Sequence, residues 1–181
     1  MKLTSKRIIL RPRLKKDEKR FIELANDLHI GRFTHVPQPY TKKHFNQYSN
    51  LAKEKTRKKE EYPFVIALKK TNEFIGTITV RPNGRDNHGT IGYWMGQPYR
   101  GQGYTTEACK LIINFAFNKL NLNKIVIEAS AENPASQKIA KKLGMKLEGK
   151  LREKALLGGK YHDIHHYGML KKEWNPKKVK T

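Results

Sequence analysis

The chain of 181 residues has one cysteine, Cys109, so it excludes an internal disulfide and any cysteine-rich zinc site. It has no apolar run long enough to span a bilayer, which argues against a membrane protein. The opening Met1-Lys-Leu-Thr-Ser-Lys-Arg lacks the apolar centre of a signal peptide, because Ile8-Ile9-Leu10 is too short. A cytoplasmic protein is the expectation. Repeats, low-complexity blocks and Gly/Ser linkers are absent too, so a single domain over residues 1–175 is expected. Residues 176–181, Pro-Lys-Lys-Val-Lys-Thr, read as a flexible basic tail.

Acidic residues are scarce. Against 38 Lys and Arg there are 16 Asp and Glu, a net charge of +22. Such a surface attracts polyanions: RNA, ribosomes or anionic cofactors. The lysines are also spread along the whole chain, as in an ordinary solvated shell.

What is present is a mixture of strand and helix patterns. Arg7 to Pro12 reads as a strand, and Lys16 to Leu28 as a helix with Phe21, Leu24, Ala25 and Leu28 on one face. Gly31 to Pro39 reads as a loop. Thr41 is placed to cap a helix running towards Lys58. Pro63 to Leu68, Phe74 to Val80 and Thr90 to Met95 form a strand meander, with a turn-rich loop at Pro82 to Gly89. Ala108, Leu111, Ile112, Phe115 and Ala116 mark one face of a helix. A strand at Lys124 to Ala129 precedes a helix capped by Asn133 or Ser130 and stopped at Gly144. Strands at Lys146 to Glu153 and His162 to Leu170 flank a Gly158-Gly159 turn. The expected class is α/β, or mixed α+β, with six to seven strands and about four helices.

The most informative segment is Trp94-Met-Gly-Gln-Pro-Tyr-Arg-Gly-Gln-Gly-Tyr-Thr-Thr-Glu-Ala108. Glycines that end a strand and open a helix let an anion approach bare N–H groups. A Walker-type loop fails, because Gln102 and Gly103 stand where Lys and Ser/Thr are required. A dinucleotide loop fails as well. Thr106 replaces its third glycine, and three strands precede it.

The pattern R-G-x-G-x after an aromatic-ended strand resembles the coenzyme A loop of the GNAT N-acetyltransferases. Further segments, in order, resemble the branch that acetylates ribosomal proteins. They are Thr4-Ser-Lys-Arg-Ile-Ile-Leu-Arg-Pro12, Glu132-Asn-Pro-Ala-Ser136, Lys142-Leu-Gly-Met145, Leu147-Glu-Gly149, Gly159-Lys-Tyr-His-Asp163 and Glu173-Trp174. Any one is weak, but the ordered set spans nearly the whole chain. One departure is visible: Pro98 stands three residues before Gly101, where the wider superfamily carries Gln or Arg.

This resemblance implies a mixed, mostly antiparallel sheet, splayed between the strand ending at Met95 and the strand from Lys124. It implies acetyl-CoA as co-substrate and no metal. Gly101, Gln102, Gly103, Tyr104 and Thr105 would hold the pyrophosphate through backbone N–H groups. Arg100 and the Thr105 hydroxyl would be further donors, or simply a solvated cation and a helix-start hydroxyl. Glu107 reads as structural. The edge at Trp94 and Met95 would pair with the pantetheine arm, and the Met95 N–H would face the developing oxyanion. Of Tyr93 and Trp94, one is expected in the core and one at the site. Asn133 would hydrogen-bond the arm, cap a helix, or do both.

The tyrosine acid of many relatives is replaced by Ala140. Ser136 becomes the first choice for meeting the leaving thiolate, against the reading of an ordinary first-turn serine. For a base, Glu128, Glu148, Glu153, Asp163 or a held water remain open. Two imidazoles, His162 and His166, share one strand face without a third ligand, so no metal is expected. The implied acceptor is a protein N-terminal α-amine of the ribosomal-protein type. The alternatives are a small amine, or a catalytically weak module that binds ribosomes or RNA on the same fold. A monomer or homodimer is expected.

Overall fold

The computed structural model describes residues 1–179, apart from the Lys178 side chain. In chain order the elements are β1 Leu3–Thr4, β2 Ile8–Arg11, α1 Glu18–Ala25, α2 Leu28–Phe33, α3 Lys42–Arg57, β3 Tyr62–Leu68, β4 Phe74–Asn83 and β5 His88–Met95. They continue with α4 Tyr104–Asn118, β6 Lys124–Ser130, α5 Pro134–Lys142, β7 Lys146–Leu157 and β8 Lys160–Leu170. The sheet order is β1-β2-β3-β4-β5-β6-β8-β7. Among the described residues only β5 and β6 pair in parallel; the other pairings are antiparallel.

The run Phe64-Val-Ile-Ala67 is buried throughout, as a strand covered on both faces must be. Strand alternation sends Phe64 and Ile66 to one side. There they meet Ile8, Leu10, Ile78, Val80 and the α4 residues Cys109, Ile112, Phe115 and Ala116. Val65 and Ala67 face the other way, into Phe21, Leu24 and Ala25 of α1, Phe45 of α3, and Phe74. Trp94 joins this second cluster, edge-on to Phe21 with ring centroids 5.2 Å apart.

Several boundaries differ from the sequence reading, each for a local reason. The expected loop from Gly31 begins inside α2. Asp27 breaks the first helix and caps the next, its Oδ1 accepting from the His29 N–H at 2.8 Å. The β4–β5 ladder extends into the expected loop, with Pro82 opposite Gly89 and Asn83 opposite His88. Pro82 sits at a non-hydrogen-bonded position, so its missing N–H costs no ladder bond. Strand β7 continues past Glu153 through a bulge, where Glu153 has φ +47° and its N–H donates to Asp163 Oδ1 at 2.8 Å. The two-residue strand β1 is too short to leave a periodic signal. With β1 and α2 the count becomes eight strands and five α-helices among the described residues.

The tail expectation is corrected over residues 176–179. Val179 is buried in the α4-side core, and its carbonyl accepts from Lys110 Nζ at 2.9 Å. Residues 180 and 181 lie outside the described residues.

At the β2 end of the sheet, Arg11 and Asp17 form a two-pronged ion pair at 2.7 and 2.8 Å. Both residues are 2 % exposed. Asp17→Ala leaves a buried guanidinium without its partner, and urea unfolding should show a loss of about 3–5 kcal/mol. A change below about 1 kcal/mol would contradict the burial of this pair.

Candidate active site

The sheet opens where β5 and β6 part. Their pairing runs from His88↔Lys124 to Thr90↔Val126 and goes no further. Beyond that, β6 continues against β8 to Ser130↔Ile164. The β4–β5 ladder fixes which groups face the opening. Gly96 N–H donates to the Ile75 carbonyl at 2.9 Å, and Trp94 lies opposite Thr77. Hydrogen-bonded pairs alternate along an antiparallel ladder. The backbone groups of Trp94 therefore turn to β4, while the N–H and C=O of Tyr93 and Met95 turn to the gap. Of the expected edge, Met95 turns its N–H to the gap and lines the cavity. Trp94 turns its backbone to β4 and its ring to the aromatic cluster, and it too lines the cavity. Tyr93 supplies the second edge residue instead.

A cavity of about 1020 Å³ passes through this opening. Met95, Tyr93, Gly101, Thr105, Asn133 and Ser136 line it on the α4 side. The opposite mouth lies among α2, α3 and the face of β4 that carries Thr77, Thr79 and Arg81.

The glycine loop lies at the α4 side. Gly101 and Gly103 have φ +74° and +83°, a region that glycine enters without steric cost. Gly103 is the N-cap residue of α4, and its carbonyl accepts from the Glu107 N–H at 3.0 Å. Among the described residues, the N–H groups of residues 101–106 donate to no protein acceptor. Six consecutive bare donors at a helix start make an anion cradle, reinforced by the helix dipole.

The loop is braced from behind by Glu107, the expected structural residue, and by Arg7 and Ser5, for which the sequence reading gave no such role. Arg7 donates to Glu107 Oε2 at 2.7 Å and to the Gln102 carbonyl at 2.9 Å, and it lies over the Tyr104 ring at 4.7 Å. Glu107 also accepts from Ser5 Oγ at 2.6 Å and from the Arg7 N–H at 3.0 Å. Burial pushes the Glu107 carboxyl up, but the bonds from Ser5 and Arg7 outweigh it and hold its pKa below the ordinary value. Gln102 turns its side chain to the Pro98 carbonyl at 2.8 Å, so only its backbone serves the cradle. Arg100 also departs from the expected role. Its Nε donates to the Met95 carbonyl at 2.9 Å, and its Nη2 lies 2.6 Å from Asp27, close but off the hydrogen-bond angle. It braces the gap rather than the cradle.

Across the gap, Asn133 caps α5 by accepting from the Ser136 N–H at 3.1 Å. Capping thus occupies its oxygen, while its residue lines the cavity. Ser136 Oγ lies 2.8 Å from the Tyr93 hydroxyl. Burial, with a smaller push from Cys109, raises the Tyr93 pKa well above its usual value, so the hydroxyl stays neutral. No sequence motif marked this pair, because Tyr93 and Ser136 meet only through the sheet opening.

Of the four candidate bases, Glu128 alone lines the cavity. Its Oε1 lies 3.3 Å from His166 Nδ1. Glu148 is paired with Lys124 at 2.6 Å, Asp163 serves the bulge, and Glu153 forms it. His162 is buried against Ser130 Oγ at 3.0 Å, and His165 meets Gln137 at 3.1 Å. Among the described residues no group of three or more His, Cys, Asp or Glu is arranged to hold a metal, and no helix is long and apolar enough to cross a membrane.

An anion cradle at the end of a splayed strand, with an N–H and a hydroxyl pair in the opening, defines a site for a phosphate-bearing acyl donor. The family model for the acetyltransferase (GNAT) domain matches residues 7–146, and the chain belongs to this family. Acetyl-CoA is the co-substrate of that family, and the bare N–H groups of the cradle suit its pyrophosphate. The chain is 27 % identical over 176 residues to the N-acetyltransferase YnaD of Bacillus subtilis (strain 168), covering 97 % of this chain and 100 % of that one. It is 28 % identical to the spermidine N(1)-acetyltransferase of Escherichia coli (strain K12), covering 85 % and 81 %. Another relative is 38 % identical over 88 residues, about half of either chain. In fold it is similar to RimL, a ribosomal L7/L12 alpha-N-protein acetyltransferase solved with coenzyme A. That likeness has a TM-score of 0.86 at 19 % identity, covering 94 % of this chain and 98 % of that one.

Two outcomes follow from the braced loop. Gly103→Ala forces an L side chain to φ +83°, at a cost of about 1–2 kcal/mol, and calorimetry should find weaker acetyl-CoA binding. Unchanged stability and affinity would contradict the cradle. The depressed Glu107 pKa gives a sign for acid sensitivity. Its contribution is complete above the unfolded value of about 4.3 and is lost as pH falls through the lower folded value. The urea midpoints of wild type and Glu107→Gln should differ at pH 7 and converge below pH 4.3. A gap that widens on acidification would contradict this reading.

Proposed function

We propose that this enzyme transfers an acetyl group to the α-amine of a protein N-terminus, of the ribosomal-protein type. The observation that carries the reading is the through-sheet opening. It presents the Met95 N–H and the Ser136–Tyr93 pair between the cradle and an open second mouth. A polypeptide end can enter that mouth while the donor occupies the α4 side.

Acetyl-CoA supplies the thioester when bound. The cradle N–H groups of residues 101–106 hold the pyrophosphate, with Tyr93 and Met95 offering strand-like bonds to the pantetheine amides. The Met95 N–H stabilises the oxyanion that forms when the amine attacks. Ser136 Oγ gives a proton to the departing thiolate and recovers one through the Tyr93 hydroxyl and solvent. Glu128, directly or through water, takes the proton that the amine loses. An α-amine has a pKa of about 7.7–8.0 against about 10.4 for lysine, so it needs little help from a base. A single half-exposed carboxylate suffices for the first and is poorly suited to the second.

The charge of +22 suits an enzyme that meets its acceptor on the ribosome or beside RNA, where the surroundings are anionic. Free basic proteins would be repelled.

The deciding assay measures thiol release from acetyl-CoA with peptides starting in Ala, Ser or Met, alongside spermidine and an aminoglycoside. The peptides should be the best acceptors, with spermidine far behind; a preference for spermidine would overturn the proposal. Ser136→Ala should lower kcat with the best peptide by roughly 100-fold and leave the KM for acetyl-CoA nearly unchanged. A fall confined to KM would remove Ser136 from the chemistry.

A further inference from the structure

The mouth opposite α4 carries an arginine that the acetyl-transfer chemistry does not use. Arg81 projects from β4 on the same face as Thr77 and Thr79 and lines the cavity. Its Nε donates to Glu61 Oε1 at 3.0 Å. Its two terminal nitrogens donate to no protein atom among the described residues, and its side chain is 49 % exposed. The head lies across β5 at Gly92: a Cβ built there would meet Arg81 Nη1 at 2.8 Å. Gly92 therefore leaves room for the guanidinium to lie over the strand, aimed along the mouth with its outer fork free.

The rest of the mouth agrees in sign. Its lining includes Lys55 and Lys154 besides Arg81, against Glu61 and Glu128. Glu61 is already occupied, by Lys55 Nζ at 2.9 Å and by Arg81. Among the described residues that line the cavity, only the Glu128 carboxylate remains to meet a cationic acceptor. A polyamine carries several charges and would need several free carboxylates here. An acceptor with an anionic group beside its amine meets a free guanidinium fork, the geometry that binds carboxylates in pairs of bonds.

We infer that the acceptor carries a carboxylate near its reactive amine and that Arg81 is the residue that reads it. This rests on the acetyl-transfer reading of the same opening. Spacing says where the carboxylate lies. Gly92 and Met95 are three residues apart on one strand, or about 10 Å. The α-carboxylate of a free amino acid is within about 3 Å of its own amine, too near to span this. The side chain of the second or third residue of an extended peptide spans it. The acceptor is therefore a polypeptide end with Asp or Glu just behind its first residue.

The test compares kcat/KM for peptides alike except for Asp or Lys at positions two and three, with free glutamate as a separate arm. Wild type should favour the acidic peptide by about tenfold or more, the value of one charge-assisted pair. Arg81→Gln should abolish the preference and Arg81→Glu should reverse it. Gly92→Ala keeps the charge but displaces the head, and should weaken the preference. Acetyl-CoA affinity, read by calorimetry, should be the same in all four proteins, because the cradle lies on the other face. Equal preference in wild type and Arg81→Gln, or a wild-type preference for lysine, would overturn the inference. Turnover of free glutamate but no peptide, still dependent on Arg81, would retain the carboxylate contact and overturn the peptide reading instead.

Discussion

The structure depends on a pairing that stops. β5 and β6 are joined in parallel for three residue pairs, ending at Thr90↔Val126, and then separate. A sheet interrupted in its middle leaves strand edges bare, and bare backbone groups inside a fold are costly unless something meets them. Here the Met95 carbonyl, left without a strand partner, is met by Arg100, and the gap is bridged by Tyr93 and Ser136. The Tyr93 and Met95 N–H groups stay available. The same break that weakens the sheet therefore makes the candidate site, and both cores pack around it: α4 on one face, α1 and α3 on the other.

Much of this frame was legible in the chain. The alternating and continuous apolar runs gave the strands, the helical stripe of α4 was plain, and Gly101 and Gly103 marked the cradle because an αL backbone at a helix start has few other tenants. The less legible features share a physical character. α2 is six residues long and held by one cap, too short for a periodic signal. The β4–β5 extension passes through Pro82, which looks like a breaker until its ladder position is known. The roles of Arg7, Arg100 and Tyr93 are set by partners 5 to 100 residues away, across the sheet or across the loop. Trp94 and Met95 stand together in the sequence, but a strand turns adjacent backbone groups to opposite edges, so only the Met95 groups face the gap.

The charge reads differently once placed. As a total, +22 says only that polyanions are attracted. In the cavity it becomes specific: Glu61 is held by two cations, Arg100 by Asp27, and Arg81 keeps an open fork. The family includes enzymes acting on polyamines and on protein ends. Under the acceptor reading proposed above, the balance of charges at the acceptor mouth, rather than the shared cradle, would separate those two chemistries.

The central claim is that the opening between β5 and β6, together with the glycine loop, is one continuous donor site. Residue-resolved amide hydrogen exchange with and without acetyl-CoA tests it most directly. Binding should protect the amides of residues 101–106 and, at the same time, those of Tyr93 and Met95. Protection of the loop with none at Tyr93 and Met95 would contradict the account.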